Sequence, residues 1–184
     1  MTAMKSTGDA IHYRPGAPTD APAIARLNVA TWRTCFKGIA PQAHLDGLSL
    51  EKRTESFRGR HNKSGYVVFV AERAPGMLLG YCDAGEPRES RWPYAAELFS
   101  IYIDATQQRR GIGRELFRRT ARTLIESGRP TLFLRTLEIS PFRIFYERLG
   151  GRLIDREEHT LANVRCDHAV YAWDEAALAL RAGI

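Results

Sequence analysis

One segment of the chain has the residue types and spacing to hold a polyanion. It is Gln108-Arg109-Arg110-Gly111-Ile112-Gly113-Arg114, directly after the apolar run Leu98-Phe99-Ser100-Ile101-Tyr102-Ile103. The pattern reads as a buried strand, a glycine-bearing turn and a helix from about Gly111 to Ser127. The first amides of a helix have no partner inside it, and the helix dipole is positive there. Glycine lets backbone approach a ligand closely, so successive N–H groups can converge on a phosphate. Arg109, Arg110 and Arg114 add full charges beside them. Two better-known phosphate loops do not fit. No G-x-x-x-x-G-K-[ST] string occurs, and the third glycine of G-x-G-x-x-G is replaced by Leu116. Taken alone, the segment leaves open a second reading, a glycine-rich helix start with surface arginines and no ligand.

Further residues narrow the choice. Gln108 to Gly113 resembles the Q/R-x-x-G-x-G/A signature of GNAT acetyltransferases. Some thirty residues on, Phe145-Tyr146-Glu147-Arg148-Leu149-Gly150-Gly151 is similar to that family's F-Y-x-x-x-G segment. Trp32-Arg33-Thr34-Cys35-Phe36-Lys37-Gly38-Ile39 is similar to the first-helix region of many bacterial members. The resemblance runs from about Ile11 to Trp173 and keeps the motifs in family order. It departs at two positions: Ile139 stands where the family often has Asn, and Phe142 where it often has Ala. Ile139 removes a side chain that could bond the pantetheine amide, and Ser140 is the neighbouring candidate for that contact.

The resemblance implies acetyl-CoA as acyl-donor co-substrate, with no metal, and transfer of its acetyl group to a primary amine of a small molecule or peptide. Cofactor contacts are then expected at Ile101, Tyr102 and Ile103, whose strand backbone would pair with the pantetheine arm. The phosphates would fall to Gln108, Arg109, Arg110, Gly111, Ile112, Gly113 and Arg114, with Phe145 nearby. Direct attack on a thioester needs a neutral nitrogen, a stabilised oxyanion and a donor for the leaving thiolate. Glu97, at the start of the apolar strand, is the candidate base, against a solvated charge at a strand end. By resemblance to the family's F-Y tyrosine, Tyr146 is the candidate acid, a phenol with a pKa near ~10 that stays protonated at neutral pH, against an aromatic helix residue packing on the core. A backbone N–H near Ile103 is the expected oxyanion donor. Trp32, Phe36 and Tyr94 are expected to line the acceptor pocket, with a core role equally open for Trp32.

These residues need elements to hold them. The order read from periodicity and turn signals is β-α-α-β-β-β-α-β-α-β-β. Its members are a short strand at 11–14, a helix over 21–33 and a helical region from Pro41 towards Arg60. A hairpin follows, with strands at 66–71 and 78–83 about Pro75-Gly76. Then come the strand at 95–104, the helix at 111–127, a strand at 131–136 and a short helix at 141–149. Two last strands lie near 152–154 and 164–173. A strand–helix–strand unit requires a parallel pair, whereas hairpins pair antiparallel. The expected fold is therefore α/β: one GNAT domain over 11–174, with a mixed, mostly antiparallel sheet of six to seven strands, a central parallel pair and helices on both faces. Residues 1–10 and 175–184 read as tails.

The formal net charge of +6 fits either a polyanionic cofactor or nucleic acid. Arg114, Arg118 and Arg122 share one helix face, which reads first as solvated, second as reaching the 3′-phosphate of CoA, and third as a nucleic-acid stripe. Cys35, Cys82 and Cys166 are odd in number and widely spaced, against a disulfide framework or a zinc site. The five histidines have no metal-ligand spacing. With no signal peptide or membrane span read, the expected setting is the cytoplasm. A homodimer is compatible with these features. Two further readings stay open, a non-catalytic acyl-CoA-binding sensor on the same fold and a basic nucleic-acid module.

Overall fold

The computed structural model describes residues 10–184; the expected N-terminal tail, apart from Ala10, lies outside the described residues. Seven strands form one twisted sheet in the order β1-β2-β3-β4-β5-β9-β6. β1 (His12–Pro15) lies antiparallel on β2 (Val67–Ala74), which pairs through the turn at Gly76 with β3 (Met77–Gly85). β4 (Ala96–Ile103) runs antiparallel to β3 and parallel to β5 (Leu132–Leu137). β9 (His168–Trp173) is inserted between β5 and β6 (Arg152–Glu157), antiparallel to both. The mixed sheet with one parallel pair agrees with the reading above.

Two layers of helix cover the sheet. On one face α4 (Ile112–Glu126) buries Ile112, Leu116, Phe117, Ala121 and Leu124, each at most 1% exposed. Their i, i+4, i+5 spacing makes one apolar stripe, and each such large side chain contributes about 1.5–3 kcal/mol by leaving water. This packing fixes the position of the α4 N-terminus. The segment read as a C-terminal tail includes α6 (Glu175–Ala182), capped by Asp174 and docked on α4 through the buried Leu178 and Ala182. Its alanines permit that close approach.

On the other face lie α1 (Ala21–Cys35) and α3 (Leu50–His61), with Ile24, Ala25, Leu27 and Phe57 packed on Val68, Val70 and Tyr81. Arg14 ties β1 to this layer by bonding Asp20 and Glu72 together. The single helical region expected after Pro41 is two helices. α2 (Gln42–Asp46) stops at Gly47, and Ser49 restarts the chain as N-cap of α3 by accepting the Lys52 N–H at 3.2 Å. Between them Leu45 and Leu48 are buried against Val29 and Phe36.

The last expected strand is also divided. Ala162 and Asn163 both take positive φ, and so form a tight hairpin between β7 (Thr160–Leu161) and β8 (Val164–Arg165). The chain then re-enters the sheet as β9. α5 (Arg143–Arg148) precedes β6 and ends at Gly150, whose φ is 81°. No described helix is long and apolar enough to cross a membrane.

Candidate active site

The site forms where the sheet opens. β4 and β5 pair only at Ala96–Leu132, Glu97–Phe133 and Leu98–Leu134. Beyond these rungs β4 continues on β3 to Ile103, and β5 continues on β9 to Leu137. The β5-facing edge of β4 at Ile101, Tyr102 and Ile103 therefore has no strand partner. Such an edge is a row of free backbone donors and acceptors. Phe99 is an extra residue in the β3–β4 register, which passes from Asp83–Ser100 to Ala84–Leu98. Bulges of this kind re-aim side chains beside functional sites.

The glycine-bearing turn stands at the end of this gap. Arg109 has φ 60° and Gly111 has φ 81°, so the backbone coils tightly into α4. The first ladder bond of α4 runs from Glu115 N–H to Gly111 O, leaving the amides of Ile112, Gly113 and Arg114 free of the helix. Arg109, Arg110 and Arg114 are exposed and have no carboxylate partner among the described residues; Arg110 Nη1 bonds Gln107 Oε1 at 2.7 Å. Gln108 faces inward, its Nε2 donating to Ile103 O at 3.4 Å. At Gly113 a β-carbon would stand 3.2 Å from the Phe145 ring and 3.6 Å from Ile103, so α5 abuts the turn. The arginine run does not continue this anion site. Arg118 and Arg119 are bound to Glu115, and Arg122 to the carbonyls of Ala182 and Gly183. The order of readings given above keeps the solvated, internally paired face first.

α5 brings Tyr146 to the gap. The ring packs against Phe145 and, at 6.2 Å between centroids, against Tyr171 of β9. Burial raises the phenol pKa, and the neighbouring Tyr102 and Cys82 push the same way. No hydrogen-bond partner for its hydroxyl occurs among the described residues. Ser140 is occupied elsewhere. It is buried at the start of α5, where its Oγ accepts the Phe142 N–H at 3.3 Å. Ile139 is two-thirds exposed.

On the α1–α3 side of β4 lies a chamber of about 420 Å³. Ser100 and Tyr102 form its floor, Asn28 and Trp32 come from α1, and Phe57 and Arg60 from α3. Of the three expected acceptor residues, Trp32 lines this space. Phe36 stands behind it, buried and stacked on Trp32 at 4.5 Å. Tyr94 does not reach it. The loop before β4 folds instead across the outer part of β5 and β9, where Trp92 and Tyr94 pack on Phe133.

The chamber floor holds a hydrogen-bonded chain that the sequence reading missed. Asp83 is fully buried opposite Ser100 and accepts from Arg60 Nη1 at 2.6 Å, Tyr66 OH at 2.9 Å and Ser100 Oγ. A carboxylate only accepts, so the single Ser100 proton points to Asp83. Tyr81 OH, 3.1 Å from Ser100 Oγ, then donates to Ser100 and accepts from Asn28 Nδ2 at 2.7 Å. That polarity leaves Asn28 Oδ1 as an acceptor; Asn28 is 3% exposed and this oxygen has no partner. A lone carboxylate inside the apolar run Leu78 to Ala84 was the available signal.

The structure places Glu97, the candidate base, in a buried and fully paired setting. It is wholly buried, and its carboxylate accepts the Arg88 backbone N–H at 3.0 Å and the Arg88 and Arg135 guanidiniums. Burial pushes its pKa up, but the Arg88 bonds and the Arg135 charge outweigh that and hold it below the ordinary value. A carboxylate so committed takes up a proton poorly. These bonds tie the loop of Arg88 to β4. Among the described residues no three His, Cys, Asp or Glu side chains gather so as to hold a metal ion.

Residues 64–150 match the family described as acetyltransferase (GNAT) domain. The chain is 29% identical over 152 residues to a Bacillus subtilis (strain 168) protein named uncharacterized N-acetyltransferase YuaI, covering 83% of this chain and 86% of that one. Its fold resembles PaiA N-acetyltransferase from Thermoplasma acidophilum in complex with coenzyme A. The TM-score is 0.70 at 16% identity, over 90% of this chain and 99% of that one. It also resembles YncA from Salmonella typhimurium with its cofactor acetyl-CoA, with a TM-score of 0.69 at 17% identity, over 91% and 95%.

Proposed function

This chain belongs to the GNAT acetyltransferase family, and from that premise we propose that it moves an acetyl group from acetyl-CoA directly onto an amine held in the chamber over Ser100. One observation supports this above the others. The unpaired edge of β4 lies between two spaces, the anion-binding turn at one end and the chamber on one face. A pantetheine arm laid along Ile101 to Ile103 as an added strand would join them. Its pyrophosphate would meet the free amides of Ile112 to Arg114.

The chemistry follows from that placement. The neutral nitrogen attacks the thioester carbon, a C–N bond forms, and the carbonyl oxygen takes up negative charge beside the free backbone of β4. Collapse breaks the C–S bond while Tyr146 donates a hydrogen bond to the departing sulfur, which solvent then protonates. The nitrogen loses one proton, so proton count balances as amide and free thiol. Ser100, a hydroxyl on the chamber floor, is the candidate relay of that proton to solvent. Ser100→Ala should then lower kcat/KM roughly 10- to 100-fold at neutral pH with acetyl-CoA affinity intact, and an unchanged rate removes Ser100 from the path.

Release of CoA thiol with a panel of small amines, amino acids and peptides tests the function itself. Turnover of at least one acceptor is expected. Normal acetyl-CoA binding without any turnover would favour the sensor reading instead. The donor side has its own check. The double variant Arg110→Gln/Arg114→Gln should weaken acetyl-CoA roughly tenfold at low salt, a difference that shrinks as ions screen it above ~0.5 M. Equal affinity by calorimetry at both salt levels would show that these arginines do not face the phosphates.

A further inference from the structure

The chamber holds charge that acetyl transfer to an unspecified amine leaves unused. Four cationic side chains line it. Arg60 is bound to Asp83 and Arg88 to Glu97. Arg53 and Lys63 have no carboxylate partner among the described residues, and one unpaired carboxylate, Glu86, stands on the exposed side opposite them in the balance. Arg53 is the informative member because it is half-buried. Burial raises the Tyr102 phenol and lowers the His44 imidazole, and the Arg53 charge is close enough to pull both downward. Arg53 lines the chamber together with Trp32 and Tyr102. A guanidinium partly withdrawn from water without a counter-charge favours an anion at its fork.

A second side chain, Asn28 of α1, lines the same space. Asn28 Oδ1 is buried without a partner, and the polarity of the Asp83 chain fixes it as an acceptor. An orphan acceptor of this kind stays uncompensated until a donor arrives. An amine N–H is such a donor, and Ser100 lies two hydrogen bonds away through Tyr81. Trp32, Phe57, Tyr66, Phe99 and Tyr102 supply flat apolar walls. The volume falls within the range of small-ligand sites, roughly 300–1,000 Å³.

We propose that the acceptor is a small amine that also carries an anionic group, its N–H donated to Asn28 Oδ1 and its carboxylate or phosphate paired with Arg53. This deepens the acetyl-transfer reading and rests on it. The anion would orient the acceptor so that only the amine end reaches the thioester. A neutral or dicationic amine would leave Arg53 unpaired and meet the excess positive charge of the chamber.

Matched pairs of acceptors test the idea: phenethylamine against phenylalanine, and ethanolamine against phosphoethanolamine. CoA release is followed with saturating acetyl-CoA. The anionic member of at least one pair should have a kcat/KM roughly 10- to 100-fold higher, mostly through KM. Preference in the first pair identifies a carboxylate, and in the second a phosphate; either supports the proposal. Arg53→Met should reduce the preference to within about threefold, and Arg53→Lys should restore part of it, which separates a lost contact from a lost fold. Equal or better use of the neutral members overturns the proposal while leaving acetyl transfer intact. A preference that survives Arg53→Met in a variant with a normal melting temperature also overturns it. Acetyl-CoA binding without turnover of any of the four, or of the wider panel, overturns the underlying function instead.

Discussion

Replacing Tyr146 by phenylalanine is expected to lower kcat roughly 10²- to 10⁴-fold, the span that a positioned proton donor contributes. The dissociation constant for acetyl-CoA should stay within about threefold, because the interaction is one that develops only as the C–S bond breaks. Phenylalanine keeps the ring contacts with Phe145 and Tyr171, so the fold and α5 should not move. The phenol pKa is raised by burial, with Tyr102 and Cys82 adding to it, and the wild-type hydroxyl therefore stays protonated at any neutral or mildly alkaline pH. The loss should accordingly be of similar size from about pH 6 to 9, where an ordinary tyrosine is neutral. A thiol titrates near ~8.5, below this phenol, so complete proton transfer from tyrosine to sulfur is uphill. On the proposed mechanism Tyr146 would act by donating a hydrogen bond to the developing thiolate, with solvent completing the exchange. Stopped-flow or steady-state CoA release, with calorimetry for donor affinity, separates the two quantities. An unchanged kcat would mean that water protonates the leaving group and that Tyr146 is a packing residue.

The turn into α4 was legible in the sequence because its determinants are local. Gly111, Gly113 and the α4 stripe lie within fifteen residues, and short-range geometry decides what they form. The hairpin about Gly76 and the parallel pair around α4 were legible for the same reason. The insertion of β9 between β5 and β6 was not, since strand order is set by pairing between segments distant in sequence. The acceptor side suffered likewise. Asn28 meets Tyr81 across 53 positions, and Arg60 meets Asp83 across 23. Tyr94 was misplaced because an aromatic residue beside a strand does not reveal which bare patch it will cover. The patch over Phe133 and Val170 is a property of the folded sheet alone. Glu97 was read correctly as a carboxylate on the right strand, but its partners Arg88 and Arg135 come from a loop and from β5. Their pairing decides whether it is a base or an anchor.

That decision can be made with Glu97→Gln. The variant should lose about 3 kcal/mol of stability, since removing one member of a buried ion pair leaves its partners uncompensated. For a chain of this size that corresponds to a fall in melting temperature of roughly 6–12 °C. Arg135 is almost buried, and its remaining contacts, Glu89 at 3.2 Å and Glu157 at 3.7 Å, limit the loss. The pH dependence carries the same signature. The folded carboxylate has a pKa below that of the unfolded chain, near ~4.3. Its contribution is therefore complete above that value and disappears as pH falls through the folded pKa. Wild type and variant should melt furthest apart at neutral pH and converge in acid below about pH 4. The kcat of the folded variant, measured well below its melting point, should stay within about threefold of wild type. A general base would give the reverse, an unchanged melting temperature with kcat/KM reduced roughly 10²-fold or more. Thermal melts followed by circular dichroism and CoA-release rates on the same preparation separate the two cases. Loss of rate without loss of stability would return Glu97 to the catalytic machinery, and would require the Arg88 loop to open when the acceptor binds.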